Sequence, residues 1–321
     1  MPPSLVIVNP NASRVRSAGG AATMLPSIVS SLTRRDGVAP EVITPDDADA
    51  VAGLVEQAVR DGIASVVGLG GDGTQRAIAS VLAGTEVPLG ILPGGTGNIL
   101  GGVLGVPGGL EAAIDALATA EPRAIDIGDV SLYTTDLAPG APPRRTITAI
   151  GCGIGFDARL MATTPSAHKA RFGRMAYLYQ AIRLASSIKP VPFRITVDGD
   201  LYELEASVAM VTNIGDLVPG VIRPRLPALP DDGELDLFVV VARGVVSGVR
   251  GLADHLFRTD TGGDADSRTL RFRCTSARLE STPPEPVQVD GDPCGSGSLE
   301  VVVRPGALRV LVPPRTVSPG S

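Results

Sequence analysis

Two glycine-rich loops carry the residues whose types and spacing could do chemistry. Residues 70–74 read Gly-Gly-Asp-Gly-Thr, and residues 93–98 read Pro-Gly-Gly-Thr-Gly-Asn. Glycine lets a backbone approach a phosphate closely, with its N–H groups directed at the oxygens, and Thr74 and Thr96 could add hydroxyl donors. Neither loop matches the dinucleotide-binding or P-loop motif, so they predict a phosphate site of another kind. Two tight strand-to-helix turns are the alternative interpretation.

Asp72 is the unusual residue of the first loop. A carboxylate among phosphate-binding amides would repel the phosphate unless a cation lay between them. A Mg²⁺ ion, bound directly or through water, would satisfy that requirement. Aspartate is also common in turns and at the N-cap position of helices, so a structural role for Asp72 stays open.

The elements around these loops alternate between strand and helix. Strands are predicted over residues 5–8, 42–43, 63–67 and 88–92, and helices over 46–59, 74–81 and 111–118. This rhythm indicates a parallel sheet with helices on its faces. Ligands bind such a sheet beyond the carboxyl ends of its strands, so both loops should face one crevice.

The sequence after about residue 125 changes to short strands separated by turns. Strands are predicted over residues 125–132, 146–150, 193–197, 201–211, 234–241, 269–272, 278–281, 285–289 and 299–303, and one helix over 174–187. Asp198-Gly199 and Asp290-Gly291 lie between such segments and are strong hairpin signals. The pattern favours a mainly antiparallel β-sandwich.

Two domains are therefore expected. The predicted boundaries give an α/β domain over residues 1–127, a β-rich domain over 128–304, a segment 305–315 that could pack back on the first domain, and a tail over 316–321. The chain of 321 residues is long enough for two such domains.

Charge and cysteine content exclude several classes of protein. A net charge of −6 argues against a nucleic-acid binder that acts through a general basic surface. The three widely spaced cysteines support neither a disulfide framework nor a zinc site. No apolar run approaches the roughly 18 residues of a membrane span, and the first residues lack the features of a signal peptide. We therefore expect a cytoplasmic protein that meets membranes only at their surface.

The motifs, taken in order, resemble a known family. The loop at residues 70–74 resembles the signature shared by diacylglycerol kinase catalytic domains, sphingosine kinases, NAD kinases and phosphofructokinases. Asn9-Pro10, the loop at 93–98, Asp232-Gly233 and Asp290-Gly291 extend the likeness over nearly the whole chain. In that order they resemble the bacterial diacylglycerol-kinase-like lipid kinases. The resemblance implies an enzyme that uses ATP and Mg²⁺ to phosphorylate a lipid hydroxyl.

The resemblance implies an ATP site in the first domain, which would have an NAD kinase- or phosphofructokinase-like fold. The residues that would line the site are Asn9, Pro10, Asn11, Ala12, Ser13, Thr44, Gly70, Gly71, Asp72, Gly73, Thr74, Gln75, Arg76, Gly95, Thr96 and Asn98. Asp72 would be its catalytic acidic residue. Phosphoryl transfer depends mainly on positioning and electrostatic stabilisation, which this set could supply.

The resemblance also implies a general base in an Asp-Gly-Glu or Asn-Gly-Glu turn of the second domain. This chain reads Asp290-Gly291-Asp292 there, so Asp292 takes the place of the glutamate. Aspartate is one methylene shorter, and a base must come within about 2.6–3.2 Å of the group that it deprotonates. The activity of the chain therefore depends on the reach of Asp292.

A structural Mg²⁺ site follows from the same resemblance. Its ligands would be the carboxylate of Asp232 and the main-chain carbonyls of Leu229 and Glu234. A set of oxygen ligands suits a hard cation. An ordinary hairpin residue is the alternative interpretation of Asp232.

One departure from the family pattern concerns Ile99, and two other functions stay open for the chain. Ile99 follows Asn98 where many relatives have an aspartate, and Asp126 is a candidate to replace that carboxylate. The first alternative is an NAD kinase-like enzyme, although the chain lacks the Asn-Glu pair and the Thr-Gly-Ser-Thr stretch of such enzymes. The second is a catalytically weak protein that binds lipid or nucleotide.

Residues 168–194 contain six Lys and Arg residues, no acidic residue, and apolar residues between them. This composition fits a surface that meets anionic lipid, where each basic residue contributes roughly 1 kcal/mol. A solvated face over a core helix fits it equally well. The expected partners are a lipid substrate and, transiently, a membrane surface, while the identity of the lipid and the oligomeric state, including a homodimer, stay open.

Overall fold

The computed structural model describes residues 2–17, 19–45, 47, 50–155, 190–213, 230–241 and 269–314. The chain divides into two compact units, Met1–Ile125 with Gly306–Ser321, and Asp126–Pro305. We refer to them as the N-terminal unit and the β-rich unit. The predicted helix over 174–187, the basic segment up to residue 189, Leu229 and the predicted tail lie outside the described residues.

The strands of the N-terminal unit pair in parallel. They are β1 (Ser4–Val8), β2 (Glu41–Ile43), β3 (Ser65–Gly70) and β4 (Leu89–Pro93). Their order in the sheet is β2-β1-β3-β4. The strands β1, β3 and β4 are buried along their whole length, which explains why they read as continuous apolar runs in the sequence.

Helices connect these strands. They are α1 (Ser13–Ser17), α2 (Leu25–Asp36), α3 (Ala50–Arg60), α4 (Asp72–Leu82), α5 (Ile99–Val103) and α6 (Leu110–Leu117). The predicted start of α4 at Thr74 was two residues late, because Asp72 and Gly73 already belong to its first turn. The helix α4 buries Ile78, Ala79 and Leu82 and packs beside α3 and β3. None of the helices among the described residues is long and apolar enough to cross a bilayer.

The β-rich unit is built from antiparallel strands. They are β5 (Glu121–Thr134), β6 (Arg144–Thr148), β7 (Gly151–Ile154), β8 (Val191–Val197), β9 (Asp200–Thr212), β10 (Leu235–Val241), β11 (Thr269–Cys274), β12 (Ser276–Ser281), β13 (Pro286–Val289) and β14 (Asp292–Val312). A buried apolar cluster that includes Ile154, Leu237 and Leu279 forms the core of the unit. The predicted strand over 146–150 corresponds to the end of β6, and β7 was not predicted. The strand β6 ends at Thr148 because the N–H groups of Ala149 and Ile150 bond to a carboxylate rather than to a neighbouring strand.

Two of the Asp-Gly pairs form the hairpins that the sequence predicted. Asp198 and Gly199 join β8 to β9, with Val197 opposite Asp200. Asp290 and Gly291 join β13 to β14 in the same way. Both aspartates lie in the left-handed region, with φ of 48° and 49°, as two-residue hairpin turns of this type require.

The last residues of β14 belong to the N-terminal unit. Val310 pairs in parallel with Leu89 of β4. The N–H of Gly84 donates to the carbonyl of Ala307 over 2.6 Å, and Arg309 forms an ion pair with Glu86. The sheet of the N-terminal unit is therefore completed by a segment from the far end of the chain.

Candidate functional site

The carboxyl ends of four parallel strands bring the predicted nucleotide residues to one edge of the sheet. Asn9 follows β1, Thr44 follows β2, Gly71 follows β3 and Gly94 follows β4. The neighbours of β1 lie on opposite sides, with β2 on one and β3 on the other. Such a switch point opens a crevice between the two loops that leave β1 and β3, and ligands of open α/β sheets bind there.

Asn9 ties the loop after β1 to the start of α4. Its side-chain Nδ2 donates to Thr74 Oγ1 over 2.9 Å, and its Oδ1 accepts the N–H of Asn11 at 2.9 Å. The main-chain N–H of Asn9 donates to the carbonyl of Leu69 in β3. Asn9 therefore fixes the two walls of the crevice relative to each other.

The two glycine-rich loops touch through their main chains. The N–H of Gly94 donates to the carbonyl of Gly70 over 2.8 Å. A Cβ atom added to Gly95 would lie 2.7 Å from the Cα of Gly71, closer than such atoms approach in proteins. The sequence analysis assigned these glycines to the approach of a phosphate. The structure adds a second reason for glycine at these positions, because the two loops could not pack together if side chains were present here.

The buried side chain of Asp72 links the two glycine-rich loops. Its side chain is only 3% exposed, and Oδ1 accepts the N–H of Ile99, the first residue of α5, over 2.7 Å. Gly71, not Asp72, is the N-cap of α4, so the N-cap interpretation of Asp72 was wrong. A carboxylate in the first turn is stabilised by the positive end of the helix. Asp72 therefore cross-links the second loop to the start of α4.

Asn98 closes the second loop on itself. It lies in the left-handed region with φ of 50°, and it is the N-cap residue of α5. Its Oδ1 accepts the N–H of Gly95, and its Nδ2 donates to the carbonyl of Gly95. The polar atoms of this side chain, which was predicted to line the ATP site, thus hold the shape of the loop.

The other predicted nucleotide residues differ in exposure. The exposed ones are Pro10, Asn11, Thr44, Gly73 and Thr96, and the half-buried ones are Ser13, Gly71, Thr74, Arg76 and Gly95. Ala12 and Gln75 are buried. Gln75 donates through Nε2 to the carbonyl of Gly68 and through its main-chain N–H to Gly71. These donors support β3 and the start of the helix, and the contact of Gln75 with a nucleotide stays a prediction.

The start of α4 fits an anionic ligand. This helix has 11 residues, and its first turn holds Asp72, Gly73 and Thr74 at the edge of the crevice. The first N–H groups of an α-helix have no partner within the helix, and they carry its positive end. Exposed Gly73 leaves that end open to solvent. The residues present are thus suited to the phosphates of a nucleotide.

In the β-rich unit, the turn between β13 and β14 holds the predicted base. The buried carboxylate of Asp290 accepts hydrogen bonds from the hydroxyl of Thr148 and from the N–H groups of Ala149, Ile150 and Gly151. Asp292 begins β14 and is half-buried. Asp290 therefore anchors the turn, and Asp292 is the carboxylate that the turn presents.

The Asp232 turn does not fit the predicted metal site. The guanidinium of Arg273 lies 2.6 Å from Asp232 Oδ2 and 2.6 Å from Glu234 Oε2. The other oxygen of Asp232 accepts the N–H of Glu234. Among the described residues, no group of three or more His, Cys, Asp or Glu side chains is arranged to hold a metal ion. The guanidinium of Arg273 already compensates the negative charge of the two carboxylates, which would otherwise attract a divalent cation.

Asp126 has a different role from the one suggested for it. It was a candidate to replace the acidic residue missing at Ile99. Its Oδ2 instead accepts the N–H of Gly233 over 2.7 Å, and its own N–H donates to the carbonyl of Pro230. Asp126 therefore clamps the Asp232 turn. The sequence analysis missed Arg273 altogether, because no local pattern connects it with residues about 40 positions earlier.

The two buried cysteines, Cys152 and Cys274, are not candidates for nucleophilic catalysis. Burial raises the pKa of the Cys274 thiol to about 12, and it raises the pKa of Cys152 as well. Both thiols stay protonated at neutral pH, and a protonated thiol is a poor nucleophile. Neither of these two thiols therefore adds a nucleophile to the candidate site.

Comparisons with known protein families match both parts of the chain. Residues 3–130 match the diacylglycerol kinase catalytic domain. Residues 151–312 match the YegS C-terminal NAD kinase beta sandwich-like domain. A probable lipid kinase YegS-like protein of Pseudomonas syringae pv. tomato is 31% identical over 278 residues, which cover 84% of this chain and 82% of that protein.

Another curated relative is longer than this chain. An uncharacterized protein of Synechocystis is 25% identical over 259 residues, which cover 80% of this chain and 57% of that protein. The fold is also found in solved structures. A putative diacylglycerol kinase from Bacillus anthracis superposes with a TM-score of 0.75 at 23% identity, over 97% of each chain. A yeast NADH kinase gives 0.50 at 12% identity, over 97% of this chain and 83% of that one. These two likenesses concern the fold alone.

Proposed function

The chain belongs to the diacylglycerol kinase catalytic domain family, with a YegS-type C-terminal domain, and we propose that it transfers the γ-phosphoryl group of ATP to a hydroxyl group of a lipid. The observation that carries the proposal is the crevice at the carboxyl ends of β1 and β3. The glycine-rich loops at residues 70–74 and 93–98 lie there at the start of α4. The hydrogen bond from the N–H of Ile99 to the carboxylate of Asp72 links them.

The N-terminal unit would hold the nucleotide. The first N–H groups of α4 and the exposed glycine of its first turn suit the phosphates, and the Thr74 and Thr96 hydroxyls could donate to their oxygens. The bonds of Asn9, Asp72 and Asn98 fix the loops before the ligand arrives. Little ordering would then be needed on binding, which favours both affinity and alignment.

Magnesium would enter this site together with ATP, and it would neutralise charge on the phosphate oxygens when bound. Asp72 is the acidic residue that the loops place at the start of α4. Its Oδ1 is engaged by Ile99, so we propose that Asp72 acts on the metal through water and through the position of the loops. The role of Asp72 as a metal-associated residue stays a prediction.

Asp292 would act on the acceptor hydroxyl. A half-buried carboxylate at the start of a strand can accept that proton, or orient the hydroxyl, if the lipid enters from the solvent side of the turn. Asp290 is less suited to this role, because four donors already occupy its carboxylate. The lipid itself, contact with a membrane surface and the oligomeric state are not specified by the described residues.

A turnover assay with a panel of acceptors tests the function. The protein is incubated with labelled ATP, Mg²⁺ and, separately, diacylglycerol, phosphatidylglycerol, sphingosine, ceramide or NAD. We expect a labelled phospholipid product from at least one lipid. Phosphorylation of NAD with no lipid product would identify an NAD kinase instead, and no product at all with retained ATP binding would identify a binding protein.

The variant Asp292→Asn tests the predicted base. We expect turnover of the preferred lipid to fall by roughly 10²–10⁴-fold, because asparagine cannot take a proton, while ATP binding is unchanged. Glu203→Gln serves as the matched control, since Glu203 is an exposed acid of the same unit that pairs with the surface residue Arg194. Turnover of Asp292→Asn equal to that of the control would exclude Asp292 as the base.

A further inference from the structure

Arg273 sits where two acidic side chains of the Asp232 turn converge. Its guanidinium is 2.6 Å from one oxygen each of Asp232 and Glu234. Arg273 belongs to β11, opposite Asp236 of β10, so the backbone pairing of β10 with β11 delivers it to this position. Both contacts run from Nη2, a charged nitrogen whose two N–H bonds can donate to the two carboxylates at once.

Three acidic residues of this region, Asp232, Glu234 and Asp236, each contact an arginine. Asp236, which is buried, accepts from Nε and Nη2 of Arg271 at 3.0 and 2.7 Å. Arg271 also lies over the ring of Phe238, 5.3 Å from its centre. Arg273, two residues further along β11, forms ion pairs with Asp232 and Glu234 at the turn. A divalent cation placed between Asp232 and Glu234 would meet the guanidinium at close range, and that repulsion disfavours metal binding.

We propose that Arg273 supplies, as a permanent part of the chain, the positive charge that the family resemblance assigns to a structural metal ion. The Asp232 turn then keeps its shape without any divalent cation. Magnesium is needed by this protein only where a nucleotide brings it. The inference concerns the stability of the β-rich unit and does not depend on the identity of the substrate.

The turn that Arg273 holds is connected to the turn that carries Asp290. Asp126 accepts the N–H of Gly233 through its side chain, and its carbonyl accepts Asn213 Nδ2 over 2.6 Å. The same amide group reaches the carbonyl of Ala149, and the N–H of Ala149 donates to Asp290. A continuous set of hydrogen bonds therefore connects the Asp232 turn with Asp290, the residue that anchors the turn of the predicted base. A change in the first turn is transmitted to the second along this set.

The decisive experiment measures the melting temperature of the nucleotide-free protein in EDTA and in millimolar MgCl₂, at matched ionic strength. The unsubstituted protein is expected to melt at the same temperature in both. Arg273→Gln is expected to melt roughly 2 °C lower in EDTA and to regain most of that loss in MgCl₂, because the two acids then attract the cation. Matched ionic strength is essential, since salt screens exposed ion pairs.

Arg271→Gln is the matched control. It removes the other arginine of β11 but leaves a single buried carboxylate, so it should lower the melting temperature without any recovery in MgCl₂. A rise in the melting temperature of the unsubstituted protein in MgCl₂ that Asp232→Asn removes would overturn the proposal, because the turn would then bind metal despite Arg273. Absence of any magnesium response in Arg273→Gln would also overturn it. If that variant does not fold, the first measurement alone decides.

Discussion

The two regions that carry the predicted chemistry are held together by opposite means. In the N-terminal unit, the loops at residues 70–74 and 93–98 meet main chain to main chain, and glycines make that contact possible. In the β-rich unit, the turns are held by aspartate side chains that gather several donors each. Asp290 and Asp198 each accept hydrogen bonds from four donor groups of a neighbouring segment.

This difference teaches which kind of substitution each region tolerates. A contact between two glycine backbones is lost when a side-chain atom is added to either glycine. The atom that it meets belongs to the backbone and cannot rotate away as a side chain could. Contact through a carboxylate fails when an acceptor is removed, because buried N–H groups then lose their partner. The first region should therefore be sensitive to the smallest enlargement, and the second to the loss of charge or of oxygen atoms.

Among the substitutions that test this comparison between the two regions, the largest effect is expected from Gly95→Ala. The added Cβ would lie 2.7 Å from the Cα of Gly71, so one loop must shift. A displacement of about 1 Å at a catalytic site can cost about 100-fold in rate, and we expect a loss of turnover of that order. The measurement is kcat with the preferred lipid, together with circular dichroism to show that the variant folds.

Gly102→Ala is the control for that substitution. Gly102 lies in α5, close to the same loop, and a Cβ there would meet nothing within 4 Å. We expect turnover close to that of the unsubstituted protein. Equal activity of both variants would show that the contact between the loops does not position the site, and the comparison between the two regions would fail.

A smaller effect, on stability, is expected from Asp290→Ala. Removing the carboxylate leaves the N–H groups of Ala149, Ile150 and Gly151 without their acceptor, and we expect a loss of about 2 kcal/mol in the free energy of unfolding. Asp290→Asn keeps one oxygen and tolerates a φ of 49°, so it should lose about half as much. Urea unfolding of the three proteins measures the difference, and equal losses for both variants would show that the acceptor is not what matters.

The smallest effect is expected from Asp198→Asn, and it should depend on pH. Burial raises the pKa of Asp198, but hydrogen bonds from Thr275 and Ser276 outweigh it and hold the pKa below the ordinary value of 3.8. A lowered pKa in the folded state gives stability that is present above pH 3.8 and is lost as the pH falls through the folded-state pKa. The unsubstituted protein should therefore melt slightly above the variant at neutral pH and approach it in acid.

The melting temperatures are compared from roughly pH 6 to pH 3, a range that brackets the ordinary titration of an aspartate. Asp200→Asn, in the same hairpin and exposed, is the control and should change little. A difference between Asp198→Asn and the unsubstituted protein that stays constant over this range would rule out a contribution from the charge of Asp198.

Local patterns were sufficient to predict most strands. The apolar runs at 5–8 and 88–92 match β1 and β4 to within one residue, because a strand buried on both sides needs such a run. The helix α2 was missed, since its serines and threonines weaken the periodic pattern. Pro26 near its start and Gly37 at its end, with φ of 74°, were signals that could have identified it.

The candidate site was predictable as a set of motifs but not as a set of contacts. The loops and the Asp-Gly turns are local in sequence, and their turn chemistry follows from residue type. The bonds that define the site join residues far apart, for example Asp72 with Ile99 and Asp232 with Arg273, which lie 27 and 41 positions apart. Such pairs depend on how strands are ordered in space, and a single sequence does not specify that order.

The return of β14 to the N-terminal unit bears on how the protein is made on the ribosome. The unit is translated first, yet the edge of β4 stays uncovered until the segment around Val310 has been synthesised. An uncovered strand edge is a template for pairing with other chains. The sheet that contains β4 is thus completed only after the β-rich unit has been translated, and chaperones have most to protect along β4 during translation.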